Sequence, residues 1–236
     1  MDERYDRNIG ALTEDEQKQL KAKRIAVVGC GGLGGYVSEL LTRIGIGHLT
    51  LIDGDIFTAS NLNRQLFSLE DNLGKKKAIA AREKLLQINS DLSIETFDVF
   101  LDDENAESML KDHHVIIDAL DNSKTRLIIE KAANTLAIPL VHGAVEQWCA
   151  QVSTVYPGEN TLSLLYHRNT PSDSINHKVE RPSVLSFVPA FCASIEVSEA
   201  IKILLKKEHN LRKKLLTVDL KANSFEVIDL SAKAHH

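Results

Sequence analysis

A short glycine-rich turn could bring the backbone close to a phosphate group. It follows an apolar run at residues 24–28 and has the sequence Gly29-Cys30-Gly31-Gly32-Leu33-Gly34. In a G-x-G-x-x-G turn the first glycine permits the tight bend and the second lets a phosphate approach the backbone. The third lets the next helix pack closely on the strand, and N–H groups at the start of that helix face the anion. The turn therefore predicts a site for the phosphates of a nucleotide.

An acidic residue follows the next predicted strand, residues 49–52. Asp53 comes nineteen positions after the last glycine of the turn, and a carboxylate there accepts hydrogen bonds from ribose hydroxyl groups. NAD and ATP both contain such a ribose, so Asp53 does not distinguish between them. Asp55 would lie on the same face of an extended chain, and a turn-stabilising role beside Gly54 accounts for it nearly as well.

A basic cluster favours one of the two nucleotides. It lies in the segments Ser60-Asn61-Leu62-Asn63-Arg64-Gln65 and Gly74-Lys75-Lys76-Lys77. A triphosphate carries more charge than the pyrophosphate of NAD, and adenylyl transfer adds charge on the leaving group, so fixed Arg and Lys donors favour ATP. Arg64 offers a bidentate fork and Lys77 a point charge. A solvated helix start is the alternative for the lysines, but cations there oppose the helix dipole, which indicates that at least one binds an anion.

Two carboxylates follow an apolar run at residues 115–118, which we predict to be a buried parallel strand. Carboxylates at the carboxyl end of such a strand point into the ligand crevice. Asp121 is therefore a candidate Mg²⁺ ligand, either directly or through water. Asp118 could instead cap the following helix, and Asn122 and Ser123 could simply belong to the start of that helix.

The composition excludes several classes of protein. With 43% hydrophobic residues the 236-residue chain can bury a substantial core, and its net charge of -5 gives no attraction to nucleic acid or to an anionic membrane. The N-terminus lacks a signal-peptide core, and three charges interrupt the most apolar stretch, so we expect no membrane span. The 3 cysteines form no C-x-x-C pair, which indicates a reducing cytoplasm, no disulfide framework and no thiolate zinc site. The histidines show no metal-ligand spacing and are interpreted as structural or solvated.

The order of the predicted elements indicates the fold class. Strands and helices alternate up to about residue 145, which predicts an α/β fold with a doubly wound, Rossmann-like and mostly parallel sheet. Beyond that point the pattern predicts antiparallel strands and a polar stretch at 158–183, interpreted as a functional crossover or a mobile segment. The predicted strands are 24–28, 49–52, 93–97, 115–118, one that opens at 139–141, 151–156, 215–220 and 224–230. The predicted helices are 12–22, 32–44, 75–88, 105–111, 123–136 and a final long helix with Pro189 in its first turn, and residues 55–72 form a long loop.

Six short motifs occur between residue 4 and about residue 145. They are Arg4-Tyr5-Asp6-Arg7-Asn8, Gly29-x-Gly31-Gly32-Leu33-Gly34, the stretch from Gly45 to Asp55, Ser60-Asn61-Leu62-Asn63-Arg64-Gln65, Gly74-Lys75-x-Lys77-Ala78 and Asp118-x-x-Asp121-Asn122. In this order they resemble the ThiF/MoeB/HesA family, the bacterial relatives of ubiquitin-activating enzymes. The resemblance implies a single adenylation domain over residues 1–236. It would consist of an N-terminal helical arm (1–23), a nucleotide-binding core (24–145) and an antiparallel, crossover and carrier-binding part (146–236).

The resemblance implies an ATP-dependent adenylyltransferase with the ubiquitin-activating-enzyme-like fold. Its substrate would be the C-terminal Gly-Gly carboxylate of a small ubiquitin-like sulfur-carrier protein. That carboxylate would attack the α-phosphate of Mg-ATP and give an acyl-adenylate and pyrophosphate. Thiamine, molybdopterin and cysteine pathways all use such carriers, and the sequence does not choose among them.

The same resemblance assigns roles to individual residues. The implied nucleotide site contains Gly29, Gly31, Gly32, Gly34, Asp53, Asp55, Asn61, Arg64, Lys77 and Asp121. In it Asp53 would hold the ribose, while Asn61, Arg64 and Lys77 would hold the phosphates. Asp121 would serve Mg²⁺ and the reacting phosphate. Arg7 would reach into the site of the neighbouring subunit, which implies a homodimer.

The chain departs from the family's pattern in two respects. Many members bind zinc through two C-x-x-C pairs, which this chain lacks, so we expect no zinc site. Some members have a cysteine in the crossover that forms a persulfide or thioester with the carrier, whereas residues 157–183 contain no cysteine. This argues against a covalent intermediate and for a separate persulfide donor. Cys149 and Cys192 lie in apolar contexts and are predicted to be core residues.

Other functions stay open at this level. A small molecule or a tRNA could supply the carboxylate, although the acidic net charge disfavours tRNA. A nucleotide-binding module could dock a ubiquitin-like tail without catalysis, but the intact set Arg64, Lys77 and Asp121 argues against it. An NAD dehydrogenase is least favoured, because no residue pattern suggests an acid or base for hydride transfer and the basic cluster would have no role.

Overall fold

Eight strands form one sheet in residues 2–166 and 183–231, the parts of the chain that the computed structural model describes. The strands are β1 (Arg24–Val28), β2 (His48–Ile52), β3 (Ser93–Phe97), β4 (Val115–Asp118), β5 (Leu140–Glu146), β6 (Cys149–Val155), β7 (Lys214–Asp219) and β8 (Ser224–Asp229). Their order across the sheet is β3-β2-β1-β4-β5-β6-β7-β8. Pairing is parallel from β3 to β5 and antiparallel from β5 to β8. The predicted fold class, a doubly wound and mostly parallel sheet with an antiparallel C-terminal extension, is confirmed.

Helices cover both faces of this sheet. Those in the described ranges are α1 (Glu14–Lys21), α2 (Gly32–Ile44), α3 (Lys77–Ile88), α4 (Ala106–Leu110), α5 (Ser123–Leu136), α6 (Thr161–Tyr166) and α7 (Phe187–Leu204). α1 begins with a capping box, in which the Thr13 hydroxyl accepts from the Glu16 N–H and the Glu16 carboxylate accepts from the Thr13 N–H. Pro189 lies in the first turn of α7, where its missing N–H costs no helical hydrogen bond.

Each face of the sheet buries its own apolar cluster. Along β1, Ile25 and Val27 belong to the cluster that includes residues of α2, α3 and α7. Ala26 and Val28 belong to the cluster on the opposite face, with residues of α4, α5 and α6. Successive side chains of a strand point to opposite faces, so a strand that is buried on both faces is apolar throughout. This accounts for the continuous apolar runs of the parallel strands.

The carboxyl ends of β1, β2 and β4 meet at one edge of the sheet. There the N–H of Gly29 donates to the carbonyl of Ile52 at 2.8 Å, and the N–H of Ala119 donates to the carbonyl of Val28 at 3.0 Å. β1 lies between β2 and β4. The connection that leaves β1 leads to β2 on one side, and the connection that leaves β3 leads to β4 on the other side. Open α/β sheets bind ligands in the crevice at this point. The fold therefore brings the glycine turn, the end of β2 and the loop after β4 to one crevice.

Apart from shifted element ends, such as those of β6 and α3, the structure differs from the sequence predictions in two places. α6 lies within the stretch predicted to be a polar connection, because Leu162 is fully buried in the cluster with α5. The remainder of that stretch, residues 167–182, lies outside the described residues. The prediction that Cys149 is a core residue is wrong, because it is the first residue of β6, next to the turn from β5, and is exposed. Cys192 is buried, as predicted.

The loop at residues 55–72 contains two 3-10 turns, Ala59–Asn61 and Glu70–Asn72, and an isolated bridge residue, Ile56, which confirms that it has little regular structure. Within the described ranges no helix combines the length and the apolar character that crossing a membrane requires.

Candidate active site

The glycine turn is held against its neighbours so closely that two of its positions have no room for a side chain. Gly29 has a φ of +96°, and a Cβ there would lie 2.6 Å from the carbonyl oxygen of Ala119. A Cβ on Gly34 would lie 1.8 Å from the carbonyl oxygen of Gly29. The first and third glycines are therefore required by the left-handed backbone and by the close approach of α2 to β1. The N-terminal N–H groups of α2 face the same crevice.

Two side chains of the segment 60–65 lie beside the glycine turn. A Cβ built on Gly31 would be 3.5 Å from Gln65 Nε2, and one on Gly32 would be 3.6 Å from Arg64 Cγ. Gln65 is buried, and its Oε1 has no hydrogen-bond partner in the described part of the chain. Sequence patterns assign no separate role to Gln65, although it directly follows Arg64 in a motif. The structure adds Gln65 to the residues that line the turn.

Asp53 links the glycine turn to the end of β2. Its Oδ2 accepts from the N–H of Cys30 at 2.7 Å, and its Oδ1 accepts from the N–H of Asp55 at 2.8 Å. Burial raises the pKa of Asp53, and the hydrogen bond from Cys30 opposes that effect. Each carboxylate oxygen can accept a second hydrogen bond. Asp53 can therefore hold the turn and still accept from a ribose hydroxyl.

Arg64 and Asn61 are positioned by the 3-10 turn Ala59–Asn61. Arg64 Nη1 donates to the carbonyl of Ser60 at 2.9 Å and to Asn63 Oδ1 at 2.8 Å. The Oδ1 of the buried Asn61 accepts from the N–H of Thr58 at 3.0 Å. The turn uses the acceptor of Asn61, so its amide N–H groups are the part suited to a phosphate. The rest of the Arg64 guanidinium group is suited in the same way.

The three consecutive lysines have different environments. Lys75 and Lys76 are exposed and pair with Glu83 and Asp98 at 3.9 and 3.1 Å. The Lys77 side chain is only 9% exposed, and its Nζ lies 3.0 Å from Asp55 Oδ2. Lys75 and Lys76 thus fit the alternative of a solvated helix start. Lys77 is the lysine with a fixed, partly desolvated charge at the start of α3.

The last residue of β4 and the loop that follows it each contain an aspartate, and the two differ in burial. Asp118 is fully buried and Asp121 is exposed. Asn122 caps α5 by accepting from the N–H of Thr125 at 2.9 Å, so Asp118 does not serve as the cap. Asp118 instead binds His142 and Arg126 in the interior. Asp121 is therefore the carboxylate of this loop that is available to a ligand.

Arg7 lies at the opposite edge of the sheet. It is exposed in the 3-10 turn Glu3–Asn8, which packs through Tyr5. The Tyr5 ring lies against Gly45, just before β2, and the Tyr5 hydroxyl accepts from Asn89, just before β3, at 3.1 Å. These contacts lie at the amino ends of the strands, whereas the glycine turn lies at the carboxyl ends. Within one chain the structure does not bring Arg7 to the other candidate residues.

The cysteine thiols in the interior are poor nucleophiles. Burial raises the pKa of the Cys30 thiol well above its usual range, and the Asp53 carboxylate adds to this effect. Burial also raises the pKa of Cys192, with a further contribution from Glu196. A buried thiol that stays protonated is inert. Burial therefore disfavours the reactive thiolate form at both positions.

Comparisons with known proteins point to one family. A model described as "ThiF family" matches residues 5–236. The SAMP-activating enzyme E1 of Haloferax volcanii is 31% identical over 228 residues, covering 96% of this chain and 84% of that protein. The molybdopterin-synthase adenylyltransferase of Haemophilus influenzae is 34% identical over 226 residues (92% and 89%). The sulfur carrier protein adenylyltransferase of Thermus thermophilus is 32% identical over 231 residues (94% and 85%).

Solved structures show the same fold. E. coli MccB superposes with a TM-score of 0.82 at 22% identity, and the match covers 97% of this chain and 71% of that one. PaaA gives a TM-score of 0.76 at 25% identity and covers 91% and 66% of the two chains. These similarities extend over the antiparallel part of the sheet as well as the parallel part.

Proposed function

The chain belongs to the ThiF family and is an adenylyltransferase, and on this premise we propose that it activates the C-terminal Gly-Gly carboxylate of a ubiquitin-like sulfur-carrier protein. The names of three relatives support this substrate class, because they refer to a SAMP, to molybdopterin synthase and to a sulfur carrier protein. The observation that carries the proposal is the placement of two fixed cations, Arg64 and Lys77, around a glycine turn that is held by Asp53.

The proposed reaction is one in-line transfer of an adenylyl group. An oxygen of the carrier's terminal carboxylate attacks the α-phosphorus of ATP. The bond from that phosphorus to the oxygen bridging to the β-phosphorus breaks, and pyrophosphate leaves with the electron pair. The products are the carrier acyl-adenylate and pyrophosphate. The nucleophile is already ionised at neutral pH, so the reaction needs no general base.

The residues of the crevice would stabilise the charge that moves in this step. The glycine turn and the first N–H groups of α2 would bind phosphate oxygens, and Asp53 would accept from the ribose. Asn61, Arg64 and Lys77 would donate to the phosphates, where charge develops on the departing pyrophosphate. Asp55 holds the Lys77 ammonium group at 3.0 Å. This contact fixes the ammonium group before the nucleotide arrives.

Asp121 suits Mg²⁺ that is bound chiefly by the nucleotide. In the described ranges no three His, Cys, Asp or Glu side chains come together as a metal site. Mg²⁺ in nucleotide sites takes one or two carboxylates, phosphate oxygens and several waters, and an exposed carboxylate at the crevice fits that set. When bound, Mg²⁺ would neutralise phosphate charge. Asp121 would orient it directly or through a water.

Arg7 would complete the site of a second subunit. Its position at the opposite edge of the sheet, exposed on a turn anchored by Tyr5, supports action in trans. A homodimer in which each Arg7 reaches the partner's crevice would place a further cation on the triphosphate. The activity would then depend on dimer formation as well as on the residues of one chain.

The acyl-adenylate would be the last species that this protein makes. The two interior cysteines are buried thiols whose pKa is raised by burial, and residues 157–183 contain no cysteine. The terminal sulfur of a separate persulfide donor would then attack the acyl carbon of the acyl-adenylate. A carbon–sulfur bond would form, and AMP would leave.

Two measurements test the proposal. Titration calorimetry should show binding of Mg-ATP and no binding of NAD. Mass spectrometry of a Gly-Gly carrier after incubation with enzyme and Mg-ATP should show the carrier with an added adenylyl group, and a carrier lacking its last glycine should stay unmodified. Tight NAD binding without a response to Mg-ATP, or an adenylyl group on the truncated carrier, would contradict the proposal.

A further inference from the structure

A buried polar network lies directly beneath the loop that carries Asp121. Asp118 and His142 are fully buried, and His142 Nδ1 lies 2.7 Å from Asp118 Oδ2. The hydroxyl of Tyr166, at the end of α6, lies 3.1 Å from His142 Nε2. Arg126 Nη1 and Gln151 Nε2 donate to the same hydroxyl at 2.8 and 3.2 Å. The network joins α5, α6, the end of β4 and residues within β5 and β6.

The chemistry of the donors fixes the direction of every hydrogen bond. Arginine and the amide nitrogen of glutamine only donate, so the Tyr166 oxygen accepts from both, and its own proton points to His142 Nε2. His142 is then neutral and donates from Nδ1 to the Asp118 carboxylate. Burial lowers the pKa of His142 and raises the pKa of Tyr166, and both effects favour these protonation states. The interior therefore contains one fixed chain, Tyr166 to His142 to Asp118.

Arg126 connects this chain to the Asp121 loop. Its Nη2 donates to the carbonyl of Leu120 at 2.5 Å, and that carbonyl belongs to the peptide group that joins Leu120 to Asp121. Asp118 Oδ1 accepts from the N–H of Leu120 at 3.1 Å, so the peptide groups on both sides of Leu120 are held. Arg126 is itself only 7% exposed, and its Nε lies 3.5 Å from Asp118 Oδ2. The peptide group that precedes the exposed Asp121 is thus held by a buried guanidinium group.

We infer that Arg126, held by Tyr166 and by the His142–Asp118 pair, is a positioning residue that sets the peptide group before Asp121. The inference rests on the proposed role of Asp121 toward Mg²⁺ and the reacting phosphate. A displacement of about 1 Å in a catalytic group can cost about a hundredfold in rate. An isolated loop carboxylate would be free to shift by that amount. The fork of Arg126 prevents this by binding acceptors on two sides, which the single ammonium group of a lysine cannot do.

The test compares variants of the network with a variant on the same helix. In pyrophosphate exchange with a Gly-Gly carrier, Arg126→Lys should lower kcat about a hundredfold. Tyr166→Phe, which removes one hydroxyl with little change of shape, should lower it about tenfold, since a hydrogen bond to a charged group contributes roughly that factor. In both variants the Mg²⁺ concentration for half-maximal rate should rise. Lys131→Met, which removes an exposed pair with Asp103 on α5, should change neither quantity.

A double-mutant cycle separates positioning from a merely structural role. If Arg126 acts through Asp121, then Arg126→Lys should cause no further loss of Mg²⁺-dependent ATP binding, measured by calorimetry, in an Asp121→Ala background. Additive losses in that background, or a loss of thermal stability with unchanged kcat and Mg²⁺ dependence in Arg126→Lys and Tyr166→Phe, would overturn the inference. If the wild-type protein shows no exchange with any carrier, the proposed function fails instead. The inference is then judged by ATP binding in calorimetry at increasing Mg²⁺ concentration. Tyr166→Phe should still raise the Mg²⁺ concentration that gives half-maximal ATP binding, and an unchanged concentration would refute the inference.

Discussion

Lys77 and Asp55 are joined by two contacts, one through the side chains and one through the backbone. Lys77 Nζ lies 3.0 Å from Asp55 Oδ2, and the Lys77 N–H donates to the Asp55 carbonyl at 3.0 Å. A lysine at a helix start opposes the helix dipole, and the carboxylate offsets this cost. The pair also keeps the ammonium group at the crevice in one place. This explains why a basic residue is tolerated at the first position of α3.

Loss of the fixed cations should impair adenylylation without unfolding the protein. We expect Lys77→Ala and Arg64→Ala each to lower the rate of pyrophosphate exchange about a hundredfold or more, because a donor aimed at developing charge contributes roughly 3 kcal/mol. Circular dichroism should show an intact fold. The matched control is Lys76→Ala, which removes an exposed lysine one residue away and should leave the rate unchanged. Wild-type exchange rates in all three variants would show that the basic cluster is only a solvated surface.

The fold and part of the site could be predicted from the sequence because their causes are local. The glycine turn follows from backbone sterics, as the φ of +96° at Gly29 illustrates. The interior network could not be predicted in this way. Tyr166 contacts Arg126 across 40 residues, and His142 contacts Asp118 across 24 residues. These contacts depend on the order of strands in the sheet, and no short spacing in the sequence encodes them.

Cys149 shows a second limit of sequence patterns. Its apolar neighbours suggested a core position, but the alternation that buries Ala150 leaves Cys149 exposed at the first position of β6. Lys75, Lys76 and Lys77 show the same effect on a basic run. Only the packing of α3 decides which of the three becomes buried.

Complementation between two inactive subunits tests the trans role of Arg7. Arg7→Ala and Asp121→Ala should each be inactive alone. When they are mixed, a heterodimer contains one crevice with both residues intact, so activity should partly return. Subunit exchange is verified independently with differently tagged chains. Persistent inactivity despite proven exchange would count against action in trans.

Replacement of all three cysteines should leave adenylylation intact. The buried Cys30 and Cys192 thiols, whose pKa is raised by burial, should resist iodoacetamide in the native protein, whereas the exposed Cys149 should react. Serine or alanine at the three positions should retain the exchange rate, apart from stability losses at the two buried sites. A thiol-sensitive adduct between enzyme and carrier, found by mass spectrometry after incubation with Mg-ATP, would restore a covalent mechanism.

Glu196 should make the stability of the protein depend on pH. It is fully buried on α7 with both carboxyl oxygens unpaired in the described part of the chain, and burial raises its pKa well above the usual 4.5, with Asp118 adding to the shift. Between pH 4.5 and its folded-state pKa, the Glu196 carboxyl group therefore keeps its proton in the folded state and loses it in the unfolded state. The stabilisation that comes from this difference in pKa is complete below pH 4.5 and is lost as the pH rises through the folded-state pKa. Over that range the equilibrium constant of unfolding rises by up to about tenfold per pH unit.

A neutral isostere tests this assignment. Glu196→Gln should raise the melting temperature at pH 7. The melting temperatures of this variant and of the wild type should become equal near pH 4.5. The control is Glu199→Gln, because the buried Glu199 carboxylate is paired with Lys202 and Thr154 and its neutralisation should destabilise the protein at pH 7. A difference in melting temperature between Glu196→Gln and wild type that is the same at every pH would contradict the assignment.

Exchange of labelled pyrophosphate into ATP is the most direct test of the central claim. It is measured with the wild-type protein, Mg²⁺ and a panel of carriers that end in Gly-Gly. We predict exchange that requires Mg²⁺ and at least one carrier, and that disappears when the last glycine of that carrier is removed. Exchange that proceeds without any carrier, or no exchange with the full panel in the presence of bound Mg-ATP, would contradict adenylylation of a Gly-Gly carboxylate.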